Sequence, residues 1–179
     1  MIKEAARFAK KAHHGAFRKG TNVPYITHPL ETAVIVSMMT DDAELIAAAL
    51  LHDTIEDAGV SYGELRSEFG KRVADLVAEE SEDKSRTWEE RKSSTLKRLE
   101  TASRDIKILT LADKLSNIRS MARDYLLVGE ELWKRFNVTE KEKHGWYYGS
   151  MIKLLKEFDG TPEYQEYTEL YRRVFGQQN

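Results

Sequence analysis

Apolar residues recur along the chain at three- and four-residue intervals, and no stretch alternates with period two for more than a few positions. Ile2, Ala5, Ala6, Phe8, Ala9 and Ala12 make a stripe on a first helix, stopped by Gly15. Gly20, Asn22 and Pro24 turn the next segment, FRKGTNVPYITHP, into a loop. Pro29 suits the first turn of a second helix running to about Met39. Asp41 or Asp42 can cap a third, AELIAAALLHDTIED, ended by Gly59. Its middle is nearly all apolar, which places it at the centre of the core. Ser61 with Glu64 forms a capping box for a short helix closed by Gly70, and a further helix covers about 71–81. Thr87 with Glu90 opens a charged helix to about Glu100, Ser103 caps RDIKILTLADKLSNIRSMARD, and Thr139 with Glu142 repeats the box. Thr161-Pro162 starts a last helix with Tyr164, Tyr167, Leu170, Tyr171, Val174 and Phe175 on one face. This helix can pack on the body of the domain or form a dimer contact. The pattern predicts one all-α domain of about eight to ten helices, spanning 1–179.

Composition narrows the class. The chain has 179 residues, 41% of them hydrophobic and 32% charged, which fits one globular domain with its own core. A formal net charge of -2 gives no global signal for nucleic acid or a membrane surface. The absence of cysteine excludes disulfides, thiolate metal sites and a cysteine nucleophile. No run approaches the roughly 20 apolar residues of a membrane helix, and the N-terminal stretch lacks the apolar core of a signal peptide. The expectation is a cytoplasmic protein, as a monomer or a homo-oligomer.

The chemistry gathers at LLHDTIED, residues 50–57. His52 and Asp53 are adjacent near the end of the most apolar helix, with Glu56 four after His52 and Asp57 four after Asp53. Four ionisable groups set against a buried helix cost several kcal/mol unless something neutralises them, and a divalent cation would. A helix end dissolving into a charged loop is the plain alternative. Asp113 lies in ILTLADKLSNIRSM, another acid inside an apolar stripe, and His28 stands at the entry to a helix, just before Pro29. Two imidazoles and two carboxylates from separate helices suit Mn²⁺, Fe²⁺, Zn²⁺ or Mg²⁺, with Mn²⁺ favoured for a six-coordinate site. Asn117, four after Asp113, shares its helical face. His13, His14 and His144 read as surface or packing histidines, and Asp83-Lys84 as a solvent-exposed turn.

The order His28 … His52-Asp53 … Asp113 resembles the H…HD…D signature of HD-domain phosphohydrolases. RKGTNVPYITHP at 18–29, AALLHDTIEDAGVSYGELRSEFG at 48–70, ESEDK at 80–84 and LTLADKLSNIRSM at 109–121 resemble, in order, four motifs of the hydrolase domain of RelA/SpoT-type alarmone enzymes. That resemblance implies hydrolysis of the 3′-pyrophosphate of guanosine tetra- and pentaphosphate. It implies metal ligation by His28, His52, Asp53 and Asp113. It implies orientation or deprotonation of the attacking water by Glu56 and Asp57, and substrate contacts by Arg18, Lys19 and Asn117. It also implies that 131–158 forms the closing helix of the domain. The sequence departs from the pattern there, where His144 and Gly145 precede Trp146-Tyr147-Tyr148. An HD phosphatase acting on a nucleoside monophosphate, a deoxynucleotide or NADPH would use the same metal site, so it stands as the alternative.

Overall fold

In the computed structural model, which describes residues 1–176, the chain forms helices joined by short turns. They are α1 (Ile2–Ala12), α2 (Thr27–Met39), α3 (Ala43–Leu51), α4 (Thr54–Ala58), α5 (Tyr62–Phe69), α6 (Lys71–Glu80), α7 (Trp88–Thr101), α8 (Arg104–Val128), α9 (Lys141–Leu154) and α10 (Pro162–Phe175). Short 3-10 turns cover Gly129–Arg135 and Lys156–Phe158. The only extended pairing among the described residues is a single antiparallel bridge between Phe17 and Pro24, which closes the loop after α1.

The helix starts follow the capping chemistry. The Asp42 carboxylate accepts from the Glu44 and Leu45 amides, Ser61 and Thr87 complete reciprocal boxes with Glu64 and Glu90, and Ser103 and Thr161 cap α8 and α10. Each cap satisfies amides that the first turn of a helix leaves without partners. The apolar helix α3 is the hub, with seven of its nine residues buried. It packs on α1, α2, α6 and α8. In α8 the predicted apolar set Ile108, Leu109, Leu111, Ala112, Leu115 and Ile118 is buried throughout. α10 lies along α8 and α9, burying Tyr164, Tyr167 and Val174, so its aromatic face belongs to this body.

Three expectations change. The third helix does not run unbroken to Asp57, because α3 stops at Leu51 and α4 begins at Thr54. Side chains take over the carbonyls freed there: the Thr54 hydroxyl donates to the Leu51 carbonyl (2.6 Å) and His52 Nδ1 donates to that of Ala49 (2.8 Å). The Thr139 box does not form, and α9 starts at Lys141 with no side-chain cap. His144 donates to the Val138 carbonyl and stacks on Trp133, which fixes the entry of this helix. The segment 131–158 is not one helix either. Gly129, at φ 59°, ends α8 in a conformation that favours glycine, and a 3-10 turn and loop precede α9.

Candidate metal and substrate site

A helix start, a break between helices and the middle of a long helix bring the four predicted ligands together. His28 comes from the first turn of α2, His52 and Asp53 from the break between α3 and α4, and Asp113 from the middle of α8. His28 Nε2 lies 3.1 Å from Asp113 Oδ1 and 3.4 Å from Asp53 Oδ2. His52 Nε2 lies 3.1 Å from Asp53 Oδ2 and 3.7 Å from Asp113 Oδ1. The two Nε2 atoms face each other at 3.2 Å. Ligating atoms of His28, His52 and Asp113 all fall within 4.8 Å of one another, and all three residues are buried.

The donor chemistry fits a divalent cation. The Ala49 carbonyl can only accept, so His52 carries its hydrogen on Nδ1 and leaves Nε2 bare. His28 Nδ1 is engaged by the Ser116 hydroxyl at 2.8 Å, so its Nε2 is likewise the free edge. Nitrogen lone pairs converging on two carboxylates need positive charge between them. Electrostatics agree in direction. Burial works against charge on His52, yet the Asp53 and Asp113 carboxylates hold its proton affinity well above the ordinary range. Burial pushes Asp113 up, and Lys114 with the two imidazoles more than reverses this.

The remaining predicted residues line the same cavity, of about 840 Å³. Asp57 and Asp53 share the Tyr25 hydroxyl, which donates to them at 3.1 and 2.7 Å. Burial and the neighbouring acids raise the Tyr25 pKa far above its ordinary value, so the hydroxyl stays a donor. Asp57 also accepts from Lys84, which brings the predicted solvent turn back to the site through one of its two residues. Asp83 stays outside, bonded to Ser85. Glu56 is largely buried, and burial raises its pKa. Its Oε2 accepts from the Glu82 amide (3.1 Å). Asn117 links Asp113 to Arg18, donating to Asp113 Oδ1 (2.6 Å) and accepting from Arg18 Nη2 (2.8 Å). Lys19 is exposed on the cavity rim.

The HD domain family profile matches residues 5–133, which hold every one of these positions. The chain belongs to the HD-domain family. Its curated relatives carry one recurring name, guanosine-3′,5′-bis(diphosphate) 3′-pyrophosphohydrolase. The Xenopus tropicalis protein MESH1 is 40% identical over 69% of this chain and 70% of its own length. Human MESH1 is 33% identical over 99% of this chain and 94% of its own. Among solved structures, a metazoan ortholog of SpoT described as hydrolysing ppGpp superposes with TM-score 0.81 at 26% identity, covering 98% of this chain and 96% of that one.

This HD-domain cavity also uses residues that the sequence pattern did not single out. Lys114, beside Asp113, is almost fully buried and reaches Asp113 Oδ2 at 2.5 Å. Glu82, in the turn after α6, is bonded by Lys92 (2.8 Å) and Arg91 (3.2 Å) from α7. Adjacent Lys and Asp on a helix ordinarily point apart, so spacing gave no signal for Lys114. The EDK turn followed by ERK was the available clue to a charged wall. His13 and His144 are buried packing histidines, as expected, and both also line the cavity. His14 is exposed.

Proposed function

We propose that this HD-domain protein is a Mn²⁺-dependent hydrolase that removes pyrophosphate from the 3′ position of guanosine tetra- and pentaphosphate in the cytoplasm. One observation carries the reading: an acid pair, Glu56 and Asp57, lines the same cavity as His28, His52, Asp53 and Asp113, together with two groups of cations. Arg18, bonded to Asn117, and Lys19 make one group, and Lys84, Arg91 and Lys92, paired with Asp57, Glu56 and Glu82, make the other. Such a cavity suits a small molecule with phosphates at two positions. The names of the relatives support the same substrate.

His28, His52, Asp53 and Asp113 would hold the cation, and all-N/O donors of this kind suit Mn²⁺. When bound, the cation polarises the phosphoryl group and makes water more acidic. Glu56, its proton affinity raised by burial, accepts the proton of the attacking water. Asp57 orients that water and is held by Tyr25 and Lys84. Water joins phosphorus, the bond to O3′ breaks, O3′ takes up a proton and pyrophosphate leaves. Arg18 and Lys19 offset phosphate charge, and Asn117 contacts the nucleoside.

A panel of nucleotides with Mn²⁺, scored for pyrophosphate against phosphate release, tests the proposal. Guanosine tetraphosphate should yield pyrophosphate, and its absence would sink the reading in favour of another nucleotide. Glu56→Ala should keep Mn²⁺ binding and lose turnover by about 100-fold or more, as expected for removal of a general base. Unchanged turnover would remove Glu56 from that role.

A further inference from the structure

A chain of hydrogen bonds runs from His28 away from the cavity to the last helix. The Ser116 oxygen lies 2.8 Å from His28 Nδ1 and 2.8 Å from Glu31 Oε2. A carboxylate only accepts, so the single hydroxyl proton of Ser116 goes to Glu31. The serine oxygen is then left to accept, and His28 must be the donor. That fixes its hydrogen on Nδ1 and leaves the Nε2 lone pair facing Asp113, Asp53 and His52. His52 reaches the same state through a backbone carbonyl. Among the described residues His28, at the start of α2, has no such carbonyl partner, and its Nδ1 meets the Ser116 hydroxyl instead.

The support extends outward. Glu31 Oε1 accepts from Arg119 Nη1 at 3.0 Å. Arg119 in turn grips Glu166 of α10 with two parallel bonds, 2.7 and 2.6 Å. Glu166 lies beyond the residues matched by the HD profile. Ser116 itself is 1% exposed, three residues after Asp113 on α8. One turn of one helix therefore supplies a ligand and also steers a second ligand brought by another helix.

We infer that Ser116 and Glu31 are positioning residues that fix the His28 tautomer for metal ligation, with Arg119 of α8 bracing Glu31 and itself held by Glu166 of α10. The inference rests on the metal site proposed above. A partner of this kind orients the ring and raises its basicity, and its loss typically weakens metal affinity by about 10- to 100-fold.

The test uses the full chain, stripped of metal. Mn²⁺ binding is measured by calorimetry for wild type, Ser116→Ala, Ser116→Thr and Glu31→Ala, with circular dichroism confirming the helical fold. Both alanine variants should lose about tenfold or more in affinity, and Ser116→Thr, which keeps a hydroxyl, should stay close to wild type. A merely structural role would not be rescued by the hydroxyl. Alanine variants that bind Mn²⁺ as tightly as wild type would overturn the inference. In parallel, ¹⁵N imidazole spectra of the metal-free protein at alkaline pH should show His28 protonated on Nδ1 in wild type and redistributed toward Nε2 in Ser116→Ala. An unchanged tautomer would also overturn it. Should wild type take up no divalent cation, the metal-site reading falls, while the tautomer spectra still decide the role of Ser116.

Discussion

Glu80 offers a test of the charge balance behind the site that needs neither metal nor substrate. Its side chain is 8% exposed, at the end of α6, and accepts a hydrogen bond from the Thr110 hydroxyl at 3.0 Å. Burial pushes its carboxyl from 4.5 up to about 7, the Asp113 carboxylate adds to the rise, and Lys114 opposes it. Between these two values the folded chain holds a proton that the unfolded chain has released. Stability must therefore fall as pH rises through that window. Below it both states are protonated and nothing is lost; above it the whole penalty is present. At about 1.4 kcal/mol per tenfold change in proton affinity, the penalty is about 3 kcal/mol. Glu80→Gln keeps the shape and an acceptor for Thr110 but cannot ionise. In urea denaturation with chelator present, the variant should match wild type at about pH 4 and below and exceed it by roughly 3 kcal/mol near pH 8. A stability difference that stays constant across this range would refute the reasoning, because burial would then not be opposing the Glu80 charge.

Other outcomes follow from single contacts. Asp53→Ala removes a carboxylate 3.4 and 3.1 Å from the two Nε2 atoms, so Mn²⁺ binding by calorimetry and any turnover should both collapse. Asp42 caps α3 and pairs with Arg72 at 2.6 Å, so Asp42→Ala should cost roughly 1–2 kcal/mol in a chemical melt. Because Arg72 holds the Asp42 carboxyl at about 2, this difference should persist at pH 7 and shrink as pH falls from about 4 toward 2. Leu111→Ala, at a fully buried position of α8, should cost about 2–5 kcal/mol by the same measurement.

Local signals carried most of the fold. Caps at Asp42, Ser61, Thr87, Ser103 and Thr161 mark helix starts because the bonds involved span three residues or fewer. Apolar spacing found the buried faces of α3 and α8 for the same reason. The break after Leu51 was not legible, since an apolar run followed by polar residues reads as one helix until His52 and Thr54 are seen bonding to the carbonyls behind them. In the site, spacing and motif order brought out His52, Asp53, Glu56, Asp57, Asp113 and Asn117. Tyr25 and the Glu82 wall were missed because their partners lie on other elements, and Lys114 because neighbours on one helix give no spacing signal. Tyr25 is 28 residues from Asp53 in the chain, and Ser116 is 88 from His28. No period along a single helix reports a contact of that kind.

The middle of α8 shows why these contacts bear on function more than on stability. Asp113, Lys114, Ser116 and Asn117 occupy scarcely more than one turn, between the buried run Ile108–Ala112 and the buried Ile118, Met121 and Ala122. Asp113 and Ser116 are buried and Lys114 and Asn117 partly so, and each is satisfied by a specific partner: His28, Asp113, Glu31 and Arg18 for Asp113, Lys114, Ser116 and Asn117 in turn. Desolvating such groups costs several kcal/mol per ion, and well-packed apolar residues at similar positions often stabilise a fold by more. A helix selected for packing alone would continue the apolar pattern on either side. Here one turn instead offers Asp113 Oδ1 to the imidazoles, ties Asp113 Oδ2 to Lys114, orients His28 through Ser116 and joins Arg18 through Asn117. Loss of Asp113 leaves Lys114 without its carboxylate and Asn117 without its acceptor, so Asp113 should show strong energetic coupling to both in double-mutant cycles rather than additive effects.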